Sequence, residues 1–495
     1  MASNANHSLT KKNAKSGKFE LLFTRFVICS LIVMFLILLV TAVGVAVQYK
    51  SVNYVNITIL AIYIILMGTF IYSTRKKLNN SKILIGIITT GFILRFIWAF
   101  ITPSVPTSDF KNMYDTARNL LNGDNSALTG LGYFARFPHM TPYTLFLASM
   151  LKLFGNNTLV VVKGINVILS TFSIFLVYLI CNSIFKDSKR PLIGAFIMSI
   201  LPASILYVPV YCSENIAIPF YLLSMYLFIL VLNNKKNSLY LILCGLLLSI
   251  GHLFRMVAYI VLIAYVMYIL IYNKDSLLKK LRNIIFILVP FVLLYAFIGN
   301  YLVTAGITDQ KLWSGSEPSN ITSAVRGSNI ESGGSWNPED AEFIENLLDD
   351  REALEKACKE RIIERYTTTP PLKLVNFFVG KFTSQWAYGD SAGAYWSELS
   401  IPDNDIIFDI SGKGTSSYQI VYAVLLLLII IGLFNRKQQA ENKIINLFYI
   451  ILCGFGAAFL ILETQCRYSF IISFIFAILP VTAFNFSFNP NASNK

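Results

Sequence analysis

The chain has 495 residues, 55% of them hydrophobic and only 14% charged, and its mean hydropathy is +0.61. A water-soluble globule cannot hide that much apolar surface, so composition places the chain among polytopic membrane proteins. The formal charge of +14 does not point to nucleic acid, because the basic residues lie in short clusters between apolar runs, as in cytoplasmic loops facing anionic lipid.

In chain order, apolar runs fall near 21–47, 54–73, 83–101, 158–181, 192–210, 216–232, 239–251, 257–272, 283–302, 418–434, 444–462 and 468–486. They predict an all-α polytopic membrane protein with about twelve transmembrane helices. The first run is too long for a signal-peptide core and reads as a retained anchor. The stretches 192–232 and 239–272 are each too long for one span at about 1.5 Å per residue, so each is read as a hairpin. That parity places every short basic cluster on one side: Lys11/Lys12/Lys15/Lys18, Arg75/Lys76/Lys77/Lys82, Lys186/Lys189/Arg190, Lys235/Lys236, Lys274/Lys279/Lys280/Arg282 and Arg436/Lys437/Lys443. By the positive-inside rule that side is the cytoplasm of a multi-pass protein of the cell membrane, and both termini lie there.

The domain order that follows is a cytoplasmic tail (1–20), an N-terminal helical hairpin (21–82), a transmembrane core (83–302) with a first external loop (102–157), an extracytoplasmic loop (303–417) and C-terminal helices (418–495). The large loop holds 18 of the 27 acids against 10 basic residues, which predicts an aqueous domain. Within it, Asn337-Pro338-Glu339-Asp340 has the form of a helix start, with Phe343, Leu347, Leu354, Cys358 and Ile362 on one face as far as Tyr366. After Pro370-Pro371, Leu374, Phe378, Phe382 and Trp386 recur at four-residue spacing, either on a helix lying at the membrane surface or on an ordinary packing helix.

Parity also gathers Asp109, Asp115, Asp124, Arg118, Arg136, Glu214, Arg255, Glu463 and Arg467 at the outer face. The helix middles are nearly free of charge. Arg95, the nearest exception, is expected to snorkel outward. Seven cysteines are scattered without CxxC or Cys/His spacing, so neither a disulfide framework nor a zinc site is indicated, and no metal or other cofactor is expected.

Asp109 follows the third apolar run and precedes a short amphipathic helix, Phe110, Met113, Tyr114, Ala117, Leu120 and Leu121, that ends at Gly123. Position alone suits an N-cap as well as a catalytic base, and Ser108 could cap instead. Glu214 and Arg255 could simply pair across hairpin tips. Glu463 and Arg467, four apart, could form a local ion pair, and His139 could be an ordinary loop residue.

The segments "SDFKNMYDTARNLLNG" and "YFARFPHMTPYTLFLASMLKLFGNN" (Tyr133–Asn157) after an arginine-bearing helix resemble the first external loop of the GT-C superfamily of integral-membrane glycosyltransferases. The similarity is to the protein O-mannosyltransferase-like branch (glycosyltransferase family 39-like) that includes bacterial aminoarabinose transferases. "LPASILYVPVYCSENIAIPFYLL" resembles that family's helix pair with an acid at the outer turn, here Glu214. "CGLLLSIGHLFRMVAYIVLIAY" resembles its glycine-rich helix ending near an arginine, here Arg255. "LETQCRYSFIISFIFAILP" resembles its E-x-x-x-R-Y turn, here Glu463, Arg467 and Tyr468. Two departures are the extra hairpin 21–82 and His139 in place of a second proline.

The resemblance implies a GT-C-like bundle with juxtamembrane helices, whose catalytic core is 83–302. It implies a hexosyltransferase that moves a sugar from a polyprenyl-phosphate donor to an acceptor hydroxyl at the outer face, with inversion. The acceptor would be an envelope glycan or a protein. Asp109 would be the general base, and Arg136, His139, Glu214, Arg255, Glu463, Arg467 and Tyr468 would bind donor phosphate or substrate. A Wzy-type polysaccharide polymerase and a lipid or polysaccharide transporter are the competing readings. Key charges in later loops would suit the former, and ionisable residues near the midplane the latter.

Overall fold

The computed structural model describes residues 2–76 and 78–485, the side chains of 2–16 excepted, so Lys11, Lys12, Lys15, Lys77 and residue 486 of the last run lie outside what is described. The chain is a multi-pass, all-α membrane protein. Seven helices are long and apolar enough to cross a bilayer among the described residues, or eight if the bent pair Cys466–Ile472 and Ile475–Ala483, which meets at 57°, is one span. Four shorter apolar helices complete the twelve predicted runs.

The membrane helices are α1 (Ala2–Gln48), α2 (Tyr54–Arg75) and α3 (Asn80–Ile101), followed after the first loop by the rest. That loop holds α4 (Ser108–Leu121) and α5 (Thr141–Phe154). Then come α6 (Thr158–Ile184), α7 (Arg190–Ile200), α8 (Glu214–Leu232), α9 (Tyr240–Phe254), α10 (Ala258–Ile271) and α11 (Leu277–Thr304). Asn53 starts α2 by accepting from the Asn56 amide, and Asn79 starts α3 by accepting from Ser81. Three of the predicted spans, α7, α9 and α10, are shorter than a bilayer requires. At 1.5 Å per residue, α9 and α10 reach only about 20 Å each, so the hairpin 239–272 stops short of a full crossing.

The predicted run 192–210 is not one helix. It breaks at Leu201-Pro202, a single short helical turn follows (Pro202–Leu206), and the chain from there to Ser213 is irregular although buried. In an apolar layer each freed carbonyl needs a donor from the protein itself. Arg95, 0% exposed, supplies two of these donors, to Met198 O and Ser199 O. It donates to Ser199 O (2.9 Å), Met198 O (2.9 Å), Gly91 O (3.0 Å), Ser204 Oγ (2.7 Å) and Ser170 Oγ (2.8 Å). Asn166 donates to Val208 O, Asn215 to Tyr207 O and Val210 O, and Trp98 to Leu206 O. The snorkelling expectation for Arg95 is therefore wrong: the guanidinium turns inward, because the broken helix end offers it more acceptors than the interface does.

The segment 303–417 carries α12 (Ser319–Gly327), α13 (Pro338–Glu345), α14 (Arg351–Thr368), α15 (Pro371–Trp386) and α16 (Gly393–Glu398). The predicted single helix from 337 to 366 is two. Asn337 caps the first by accepting from Asp340, and Asp350 opens the second by accepting from Ala353. Ile344, Leu354 and Cys358 of the two helices still meet in one small core with Phe343, Leu347 and Ile362. On α15, Phe377, Lys381, Gln385 and Trp386 are buried while Leu372, Val375 and Val379 are exposed, so the helix has both a packed face and an apolar outward edge. Lys373 pairs with Glu331 at 2.6 Å rather than standing free.

This segment is not a detached aqueous domain. Its backbone touches the membrane core at two glycines where a Cβ could not fit: at Gly315 it would lie 2.2 Å from Arg136 O, and at Gly327 2.3 Å from Ile461 O. Ser316 donates its amide to Ala135 O at 2.9 Å. Further on, Tyr207 of the broken segment stacks on Phe470 with centroids 3.9 Å apart and donates to Ser391 O at 2.7 Å. The chain closes with α17 (Thr415–Phe434), α18 (Ile445–Ile461) and the bent pair.

Candidate functional site

The first loop leaves α3 through Pro103 and Pro106, and α4 begins at Ser108, whose φ of +51° is a strained value for an L-residue. Phe110, Met113 and Ala117 bury one face of α4. Asp109 therefore projects from the first turn. It does not cap the helix, and Thr107 at the N-cap position makes no side-chain bond either. Instead Asp109 Oδ1 accepts from the Tyr133 hydroxyl at 2.9 Å, and Oδ2 lies 3.6 Å from Arg467 Nη2. The carboxylate is one-third exposed (34%).

Arg467 reaches that position because α18 ends at Ile461 and the chain re-enters as a 3-10 helix at Cys466. Its side chain is only 6% exposed and lies against Trp396 (4.8 Å), Phe110 (4.9 Å) and Tyr468 (5.6 Å). Nε and Nη1 are buried without a hydrogen-bond partner. A guanidinium that keeps its charge in such a place retains unused directional donors. The break before residue 466 also separates Glu463 from Arg467, so the expected local i,i+4 pair does not form. Glu463 instead lies 3.8 Å from Arg326 and accepts from Tyr468 at 3.3 Å. Burial holds the Glu463 carboxyl above the usual range, against the pull of Arg326 and Tyr468.

Glu214, at the start of α8, is buried and lies 3.4 Å from Arg255 Nε just beyond the end of α9. The pairing across hairpin tips is real. Arg255 also lies 5.1 Å over the Tyr468 ring, which places Tyr468 between Arg255 and Arg467. Glu214 interacts electrostatically with both arginines. His139 lies within electrostatic reach of Arg255 and Asp109, with its ring near Phe137. Arg136 is differently placed. It donates Nε and Nη2 to Glu317 Oε2 (3.1 and 2.9 Å), and Glu345 lies 3.5 Å away. Its charge is thus largely answered by the large loop.

The structure brings together residues the sequence reading passed over. Glu317 is completely buried and holds Arg136 through one oxygen and Arg326 through the other, 3.3 Å away. Arg326 passes the contact on to Glu463. Tyr133 orients Asp109, and Trp396 lies against Arg467. His252 is buried among Tyr259, Phe291 and Tyr295, with Nε2 unpartnered. Tyr133 and Trp396 had one signal, an aromatic beside charged or small residues in a loop. Glu317 and Arg326 had none, because their spacing of nine fits no helical face and their other partners, Arg136 and Glu463, are distant in sequence.

Acids and arginines thus alternate at one end of the bundle: Asp109 with Arg467, Glu214 with Arg255, Glu463 with Arg326. No group of three His, Cys, Asp or Glu side chains suited to a metal gathers among the described residues. Chemically, the arrangement offers a partly exposed carboxylate able to accept a proton beside a buried guanidinium with donors to spare, the pairing that group transfer from a phosphate needs.

Comparison with known proteins finds a family likeness over part of the chain. The model of the dolichyl-phosphate-mannose-protein mannosyltransferase family matches residues 136–301, about a third of the chain. The matched stretch contains Arg136, His139, Glu214 and Arg255, and it bears out the GT-C resemblance there. No curated protein matches the sequence. Among solved structures, the Archaeoglobus fulgidus oligosaccharyltransferase in its apo form aligns at a TM-score of 0.46 and 13% identity, covering 83% of this chain and 51% of that one. The same protein tethered with an acceptor peptide containing the NVT sequon aligns at 0.45 and 15%, covering 82% and 49%. The chain spans about half the length of these proteins.

Proposed function

We propose that this chain, similar over a third of its length to dolichyl-phosphate-mannose-protein mannosyltransferases, is a membrane glycosyltransferase of the GT-C type. It takes a sugar from a polyprenyl-phosphate-linked donor and places it on an acceptor hydroxyl at the extracytoplasmic face, with inversion. The acceptor is an envelope glycan or a protein. The observation that carries this reading is the Asp109–Arg467 juxtaposition, with two buried guanidinium nitrogens left without a partner.

In the reaction the acceptor oxygen attacks the anomeric carbon from the face opposite the phosphate. The new C–O bond forms as the C–O bond to phosphate breaks, and the electron pair leaves on the phosphate oxygen. Asp109 takes the hydroxyl proton, and Tyr133 holds the carboxylate in one orientation. Arg467 meets the charge growing on the phosphate, where a rigid planar donor set is worth most. Arg255, held by Glu214 and Tyr468, adds positive potential nearby. Arg136 is assigned to holding the loop through Glu317 rather than to the phosphate.

Charge at one end of the bundle favours a transferase over a transporter, whose ionisable groups would lie along a path near the midplane. The test is transfer from a synthetic polyprenyl-phosphate sugar in proteoliposomes, comparing the natural protein with Arg467→Ala. Equal turnover by the two would remove Arg467 from the reaction. Comparison of envelope glycans with and without the gene, by mass analysis, would name the transferred group.

A further inference from the structure

At the opposite end of the bundle, beyond the reach of the residues just described, a cavity of about 1400 Å³ opens between α1, the far end of α10 and the loop joining α17 to α18. The helix α10 starts beside His252, where the Ala258 amide donates to Nδ1, and runs away from it to Ile271, about 20 Å on. The cavity therefore cannot share a small ligand with Asp109.

Its rim and floor differ in character. Five basic residues face two acids, Glu20 and Asp275. Lys443 is paired with Glu20, and Lys280 donates to Leu270 O at 2.9 Å. Arg25, Lys274 and Arg436 have no carboxylate partner among the described residues. The floor is aliphatic, formed by Ile28, Ile32 and Leu433. It opens alongside α1, whose Phe26 and Val33 point outward, 70% and 58% exposed, on the surface that faces lipid.

We propose that this cavity binds an anionic phospholipid, with the phosphate among Arg25, Lys274 and Arg436 and the acyl chains running down the outer side of α1. A soluble phosphate would use the rim and leave the aliphatic floor without a partner. A zwitterionic lipid would fill the floor and leave three cations unanswered. An anionic phospholipid answers both, because like charges at the rim stop repelling one another only when an anion sits between them. The bound lipid would add to the contacts that hold α1 to the core at this end: Thr24 meets Tyr272 at 2.8 Å, Phe23 lies edge-on to the same ring, and Glu20 meets Lys443.

The experiment is native mass spectrometry of the purified full-length chain titrated with phosphatidylglycerol or phosphatidylcholine. The expected result is at least tenfold tighter retention of phosphatidylglycerol, lost in Arg25→Ala/Arg436→Ala and kept in Arg75→Ala/Lys76→Ala, which removes two basic residues outside the cavity. If the double variant does not fold, Lys274→Ala, on an exposed loop, should lower retention about threefold. Equal retention of the two lipids, or no change in either cavity variant, would overturn the proposal. Displacement of phosphatidylglycerol by millimolar inorganic phosphate would assign the rim to a free anion and overturn it as well.

Discussion

Arg467 Nη2 lies 3.6 Å from Asp109 Oδ2, and the two side chains meet from opposite ends of the chain under the rings of Phe110 and Trp396. The separation is that of an ion pair, wider than a hydrogen bond, so either partner can turn to a third group without breaking a tight contact.

Asp109→Asn preserves side-chain size and an oxygen for Tyr133 but cannot take a proton. Transfer should fall at least a hundredfold, since loss of a general base typically costs on the order of 10²–10⁴ in rate. Detergent-extracted stability should hardly change, because Asp109 is not a helix cap here. Full activity in Asp109→Asn, measured by donor turnover, would move the base elsewhere, with Glu214 the next candidate.

The two arginines should separate cleanly. Arg467→Lys keeps the charge but loses the planar fork, and donor turnover should drop by about a hundredfold, the scale for one lost oxyanion donor. Arg136→Ala instead leaves the buried Glu317 carboxylate with Arg326 alone, and should cost about 1–3 kcal/mol of stability. Adding Glu317→Gln should recover part of that loss, a non-additivity that thermal unfolding of the four variants would read.

Asp390, between α15 and α16, is fully buried and accepts from the Ala392 and Ala394 amides. Burial pushes its carboxyl up to about 6, against the pull of those hydrogen bonds. A raised folded-state value means that the proton is bound more tightly in the folded chain. Stability is therefore greatest below the ordinary carboxylate range near pH 4 and declines as pH climbs through 6, by on the order of 2–3 kcal/mol. Asp390→Asn should flatten that decline in unfolding measured from pH 4 to 7. An unchanged slope would place the ionised form in the fold.

Orientation is checked by labelling. With exposed Cys29 replaced by serine, a cysteine at Asp403 should react with an impermeant reagent from outside, and one at Lys236 only after permeabilisation. External reaction at Lys236 would invert the proposed active face.

What hydropathy could reveal, it did reveal. Each of the twelve apolar runs holds helix, two of them broken, because burying apolar residues in lipid needs only local sequence to be recognised. What it could not show was where a helix breaks inside the layer. Pro202 marked the break, but the donors that make it tolerable, Arg95, Asn166 and Asn215, come from three other helices. The division of 337–366 was more legible, since Asp349-Asp350 ahead of Glu352 is itself a helix start. At the site, family likeness pointed to Asp109 and Arg467 but could not tell a free arginine from an occupied one. That distinction rests on Glu317, a lone acid in a loop whose two partners lie in different segments.

Arg467 belongs to the final bent pair of helices, whereas Asp109 and Tyr133 lie in the first loop. A chain emerging from the ribosome has made the helices up to Ile461 before the cation that Asp109 faces. A product that stops at Gln465 would retain the carboxylate, Tyr133 and most of the bundle, yet lack Arg467 and Tyr468. On the proposed roles such a chain would hold the base without the cation that meets the phosphate, and it should be catalytically silent.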